Sequence, residues 1–397
     1  MNNKRIDVLD GVRAFAIAFV VWFHFWQQSW LTPYVNVPAW ITKITGIHEF
    51  NLAGFVRYGF VFVDLLILLS AVCNFYPYAR SIVLKEEWPD WKTFYKKRAI
   101  RILPSYLLAV AYMFLVANIE HCYSSVAFAV KDIVAHLFCL RTFSPELMMW
   151  SPLNGVLWTV QIEVLFYLLM PWIAKLFRRF PVVTLGSLWL CSLVTVRLTM
   201  NLWPNRISFV NNMMFSYATL YANGLLLCMV YLCIQKTDIA DSLYSKILAV
   251  ILFLGSVLWF NNILHRLGND SAPGGMQGVQ LESRIELSFV YMIFILAIMF
   301  LPKWMQLFWS NPLARYISAI SYNLYLWHQF IAVKLKQYHI PFWEGDTPPN
   351  ITGDRAWMWK YQILIILVSL FVATILTYGF ERPVAQKCRK KHLPEQK

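Results

Sequence analysis

Asp10-Gly-Val-Arg-Ala-Phe-Ala-Ile-Ala-Phe-Val-Val-Trp-Phe-His-Phe-Trp26 decides the fold. Asp10, Arg13 and His24 are its ionisable side chains, set in an otherwise apolar run. A helix that crosses a bilayer needs roughly 20 mainly apolar residues. Ten segments of the chain meet that requirement, near 10–30, 53–75, 102–118, 155–176, 181–200, 211–234, 245–262, 284–301, 312–335 and 357–379. An eleventh stretch, 124–140, carries Lys131, Asp132 and His136, and reads as interfacial or re-entrant. The expected fold is all-α: a polytopic bundle of about ten spans.

Composition agrees. The 397 residues are 59% hydrophobic and 14% charged, with a mean hydropathy of +0.51. A soluble surface calls for about 25% charged residues. Aromatic residues reach 17%, as expected where many helix ends meet membrane interfaces. A soluble enzyme, a disordered chain and a secreted disulfide scaffold are excluded on these figures. None of the seven Cys forms a CxxC or Cys/His ligand spacing, so neither a zinc site nor a disulfide framework is expected. The Met1-Asn-Asn-Lys-Arg start has the charge of a signal peptide, but Arg13 and His24 make the following run too polar, and it reads as a retained first helix.

The net charge of +14 would point to nucleic acid in a soluble protein. Here it reads as the positive bias of cytoplasmic loops, and no nucleic-acid partner is expected. Lys and Arg gather in the N-terminus, the even-numbered loops and the tail, richest in Arg80–Arg101 and in Lys387, Arg389, Lys390 and Lys391. Both termini are therefore expected in the cytoplasm, with residues 384–397 forming a basic tail beyond a membrane domain at 1–383. The loops at 29–52, 119–154, 263–283 and 336–356 fall outside, long enough to close over a ligand.

Charged groups inside a span cost at least ~2.5–3.5 kcal/mol each at the helix centre, which makes each a functional candidate. The structural alternative is a buried polar pair that fixes helix register. Arg13 and His24 lie eleven positions apart, about 20° in azimuth and roughly 16.5 Å along a helix axis. One face thus carries a cation near the cytoplasmic end and an imidazole deep in the membrane. With an unperturbed pKa near ~6.5, an imidazole is the natural general base for a hydroxyl at neutral pH. Asp10, three residues before Arg13, is placed to orient it.

Arg98 and Arg101 are i,i+3 at the entry to span three. They are either topological anchors or a pair of guanidinium forks for phosphate oxygens. Glu163 in span four and Asp64 in span two each demand a partner, as structural counter-ions or as working acids. Ser318, Ser321, Tyr325 and His328 follow at i, i+3, i+7 and i+10, one polar stripe that must face a partner or a cavity.

Four separated motifs then coincide: Arg5-Ile-Asp-Val-Leu-Asp-Gly-Val-Arg13 with its continuation to His24; Arg98-Ala-Ile-Arg101; Leu157-Trp-Thr-Val-Gln-Ile-Glu163 with Phe166-Tyr167; and Ser321-Tyr-Asn-Leu-Tyr-Leu-Trp-His328 with Glu381-Arg-Pro383. In this order, over nearly the whole chain, they resemble the bacterial integral-membrane acyltransferase family 3, whose members commonly O-acetylate cell-surface polysaccharides. The resemblance implies that His24 is catalytic with Arg13 below it. It implies that Arg98 and Arg101 handle an acyl-CoA co-substrate, acetyl-CoA above all, and that Glu163 is a working acid. Thr159, Tyr167, Ser321, Tyr325, His328, Asp10 and Asp64 would support the site, with no metal and no bound cofactor. Thr159, Gln161 and Val164 depart from the family's usual Ser, Ser and second acid, which bears on acceptor specificity. Some relatives add a C-terminal SGNH hydrolase-like domain; with the sequence ending at Lys397, transfer without one is expected.

The expected reaction moves an acyl group from cytoplasmic acyl-CoA to a carbohydrate hydroxyl reached from the other face of the cell membrane. A rival reading is a secondary transporter with Asp64, Glu163 and His328 as a proton relay. It predicts two related halves with broken helices, and no such repeat is present.

Overall fold

The computed structural model describes residues 6–268 and 273–392; Arg5, at the head of the first motif, and the tail beyond 392 lie outside the described residues. Ten long helices carry the architecture: α1 Val8–Trp26, α2 Phe62–Val83, α3 Trp91–Ile119, α4 Trp158–Arg179, α5 Pro181–Leu202, α6 Ala218–Gln235, α7 Leu243–Leu267, α8 Gly275–Phe300, α9 Pro312–Gln337 and α10 Arg355–Ile375. Short polar signals set their starts. The Asp90, Asn311 and Asp354 side chains accept from the backbone N–H of Thr93, Ala314 and Trp357 at 2.8, 2.8 and 2.9 Å. Each satisfies a donor that the first helical turn leaves open.

Nine helical stretches of the described chain are long and apolar enough to cross a membrane. All ten expected segments are helical, and α9 is the one that falls outside this count. Its 26 residues are long enough, at roughly 39 Å, but Ser318, Ser321, Asn323, Tyr325 and His328 lower its hydropathy. All five are buried, so the polar stripe faces the bundle as expected.

Side-chain bonds give the helix directions. Ser318 reaches Asp10 and His328 reaches His24, so α9 runs parallel to α1. Tyr361 donates to the Ala332 carbonyl and Tyr316 shares a hydrogen bond with Thr374, so α10 runs back alongside α9. Parallel first and ninth helices need an odd number of crossings between them, and the seven helices α2–α8 supply it. Glu381, just past α10, ends beside Arg101 of α3, and Arg382, Asp10 and Arg13 line one common cavity. Both ends of the described chain therefore lie on one side of the bundle. The expected domain boundary at 383/384 falls inside the last helix, Arg382–His392.

Close contacts explain the small residues of α1. A β-carbon on Gly11 would lie 2.0 Å from the Trp309 carbonyl oxygen, in the short helix Lys303–Ser310 that packs across α1. Gly224 of α6 meets α2 in the same way, 2.6 Å from the Ala71 Cβ. Close backbone approach at small residues adds van der Waals packing, one of the attractions between helices in lipid.

The 124–140 stretch forms the helix Val126–Leu137, 12 residues and roughly 18 Å, too short to cross. It is fixed from within: buried Asp132 accepts from Tyr123 Oη at 2.9 Å and Ser151 Oγ at 2.7 Å. Tyr106 of α3 donates to the His136 carbonyl at 2.9 Å. The 29–52 loop holds a two-stranded antiparallel ribbon, Tyr34–Asn36 with Glu49–Asn51.

Asp64 of α2 has its partner in Arg284 of α8, at 3.2 Å with both side chains fully buried. The guanidinium also donates to Asn211 O, Asn211 Oδ1, Ser216 Oγ and Tyr217 Oη, between 2.7 and 3.0 Å. All five N–H donors of the fork are thereby used. Removing one member of a buried pair leaves an uncompensated charge and costs roughly 3–5 kcal/mol. Asp64→Ala is expected to lower the melting temperature of the detergent-solubilised protein sharply, and the double change Asp64→Leu with Arg284→Met to recover part of the loss.

Candidate active site

One cavity of about 860 Å³ opens inside the bundle, walled by α1, α2, α3, α4, α9 and the segment that follows α10. Nine of the residues expected at the site line it: Asp10, Arg13, Arg98, Arg101, Thr159, Glu163, Tyr167, Ser321 and Tyr325. Segments distant in sequence thus converge on one space.

The arginines are held by the walls. Arg13 Nη2 lies 3.4 Å from the Cys73 sulfur, and Arg98 Nη2 donates to the Cys73 carbonyl at 3.0 Å. One residue of α2 therefore holds two cations from α1 and α3. Arg98 also sits over the Phe94 and Tyr167 rings, 5.3 and 5.6 Å from their centroids. Arg101 pairs with Glu381, whose other oxygen accepts from Asn323 Nδ2 at 2.7 Å. Glu381 closes a π-helical turn, Leu376–Glu381, that re-aims the chain after α10; such turns recur at functional sites.

Glu163 has a hydroxyl partner on its own helix. Tyr167, one turn on, donates to Oε2 at 3.1 Å, and Ser70 of α2 lies 3.4 Å from the same tyrosine oxygen. Asp10 accepts from Ser318 Oγ at 2.8 Å, tying α1 to α9. Thr159 bonds to the Val156 carbonyl, as does Tyr325, at 3.1 and 3.2 Å.

His24, His328 and Asp64 lie outside this lining. His24 Nδ1 is 3.0 Å from His328 Nε2, a pairing that spacing alone did not reveal. The pair sits just past the inner end of the cavity: His328 is one turn beyond Tyr325 on α9. His24 is seven residues beyond Ile17, the last lining residue of α1, or roughly 10.5 Å. Asp64, Glu163 and His328 stand in three separate partnerships, with Arg284, Tyr167 and His24. The relay required of a transporter is not connected through them.

Sequence reading passed over several lining residues, among them Cys73, Arg315, Glu381 and Arg382. Glu381 and Arg382 were visible only as part of a motif without a role, and Arg315 was indistinguishable from a topological cation. Nothing about Cys73 in an apolar run signalled a cavity. Among the described residues, no three His, Cys, Asp or Glu side chains converge so as to hold a metal ion.

Ten long helices around an internal, arginine-lined cavity define a polytopic membrane protein. The chain belongs to acyltransferase family 3: the family's model, an acyltransferase domain, matches residues 6–380, nearly the whole chain. It is a membrane acyltransferase. No curated protein and no solved structure matches the chain.

Cys73 is half-buried on the cavity wall, whereas Cys139 and Cys228 are buried in the protein. A small thiol reagent is expected to modify Cys73 well before Cys139 or Cys228, read by mass spectrometry of the peptides. Equal rates at the three would contradict an accessible cavity.

Proposed function

We propose that the chain moves an acyl group, acetyl above all, from cytoplasmic acyl-CoA to a hydroxyl of a cell-surface or lipid-linked carbohydrate, working in the cell membrane. The supporting observation is the cavity itself, with Arg98, Arg101, Arg315 and Arg382 among its lining residues and the His24–His328 pair just past its inner end. Guanidinium groups match phosphate oxygens in charge and in fork geometry. On this reading the phosphates of CoA rest among them. The pantetheine arm extends past Arg13 and Glu163, and the thioester reaches His24.

The chemistry needs a base and a leaving thiolate. His24 accepts the proton of the acceptor hydroxyl as its oxygen bonds to the thioester carbonyl carbon. The C–S bond breaks, and CoA leaves as a thiolate that recovers the proton from His24. The products are the ester and free CoA, and the enzyme ends as it began. Tyr167 and Glu163 lie on the path of the thioester and are placed to orient it.

A general base contributes typically 10²–10⁴-fold. His24→Ala is expected to cut acyl transfer by at least about 100-fold while CoA still raises the melting temperature. Arg98→Ala and Arg101→Ala are expected to weaken that CoA-dependent stabilisation, and CoA is expected to slow labelling of Cys73. Unchanged CoA affinity in both arginine variants would return those residues to an anchoring role. Mass spectrometry of surface glycans from cells with and without the gene identifies the acceptor.

A further inference from the structure

The hydrogen-bond pattern around the two histidines has a consequence for which ring nitrogen of His24 does chemistry. His328 is fully buried, and its Nδ1 lies 2.8 Å from the Tyr325 carbonyl and 3.1 Å from the Leu324 carbonyl. Carbonyl oxygens only accept, so Nδ1 of His328 carries hydrogen. In the neutral ring Nε2 is then a bare lone pair. That lone pair faces His24 Nδ1 at 3.0 Å, so His24 must donate through Nδ1–H. The remaining nitrogen of His24, Nε2, is left without a proton.

On the acyl-transfer reading above, we propose that His328 is a positioning residue that fixes His24 as its Nδ1–H tautomer, with Nε2 as the atom that takes the acceptor proton. The pair has the logic of a base held by a second group whose own orientation is fixed. Here the backbone of α9 fixes His328, His328 fixes His24, and His24 presents Nε2. The neighbouring rings of Phe25 and Tyr325, 6.1 and 5.6 Å from that of His328, enclose the inner member of the pair. The outer member, His24, is half-buried.

The proton balance follows the transfer step. Nε2 takes the hydroxyl proton, which makes His24 an imidazolium whose Nδ1–H still donates to the His328 lone pair. When the thiolate leaves, the Nε2 proton passes to sulfur, and His24 returns to the tautomer it started from. His328 gains and loses no proton and touches neither substrate. Without it, His24 loses the side-chain acceptor of its Nδ1–H and can place its hydrogen on Nε2, the atom that has to be bare.

Two measurements test this. Nitrogen-15 NMR of the histidine-labelled full chain in detergent micelles should show His24 protonated on Nδ1 and bare on Nε2. His24 protonated on Nε2 instead would overturn the proposal. Kinetically, His328→Phe should lower kcat by at least about 100-fold with the KM for acyl-CoA nearly unchanged, since an orienting group in such a pair is worth up to ~10⁴. His328→Gln, whose amide oxygen can accept from Nδ1–H, should run at least about tenfold faster than His328→Phe. A kcat for His328→Phe within about threefold of the parent, or a Gln variant no faster than the Phe variant while both bind CoA normally, overturns it. If the parent chain turns over no acyl-CoA, the acyl-transfer reading fails, while the NMR result still decides the tautomer.

Discussion

A charge in hydrocarbon has to be neutralised, hydrogen-bonded or wetted, and the architecture follows from how this chain meets that demand. Asp64 and Arg284 meet it by closing on each other with every donor used, and they bind α2 to α8. Arg13, Arg98, Arg101 and Glu163 meet it by facing a shared cavity. His24 and His328 meet it by bonding to each other and to backbone carbonyls. The same physical cost thus has three solutions, and in the proposed reaction the groups that meet a substrate come from the second and third. That division separates scaffold from site more cleanly than polarity does.

Helix α1 is where the two meet. Its small residues let neighbouring backbones approach closely, as Gly11 does under Trp309. Its polar residues are consequently held in fixed places: Asp10 by Ser318, Arg13 by Cys73, His24 by His328. Two of those three partners belong to α9. The parallel course of α1 and α9 sets the cavity wall and the histidine pair in register, a cavity level at Asp10 and a base level at His24. A shift of either helix by one turn would move roughly 5.4 Å and break both contacts.

Much of this was legible beforehand, because helices in a bilayer announce themselves by composition. The ten segments, the short Val126–Leu137 helix and the inward stripe of α9 all follow from apolar length and from the cost of facing lipid. The eleven-residue step put Arg13 and His24 on one face of α1; in the structure Arg13 lines the cavity and His24 meets His328. What periodicity could not supply is the partner across a helix interface. Arg284 and Asp64 are 220 residues apart, and the two histidines 304. Glu163 shows the limit most clearly: a carboxylate in a span calls for some donor, but sequence cannot say that a tyrosine one turn away is one of them. Cys73 and Arg315 line the cavity for reasons that exist only once the helices are packed.

The separation between the cavity lining and the histidines bears on how an acyltransferase keeps its substrate from water. A thioester waiting in a wet cavity beside a general base would be hydrolysed, since water is itself a competent acceptor. In the proposed reaction the histidine pair stands beyond the end of that cavity, past Tyr325, with Phe23 against His24 and Phe25 and Tyr325 against His328. Donor phosphates stay in the polar part, where Arg98 and Arg101 are, and only the acyl end advances into the aromatic part. Where bound substrates displace water there, the electrostatic influence of the histidine pair is stronger and the proton has one destination. Helices α1 and α9 each supply one residue at both levels, so donor capture and base orientation are set by the packing of a single helix pair.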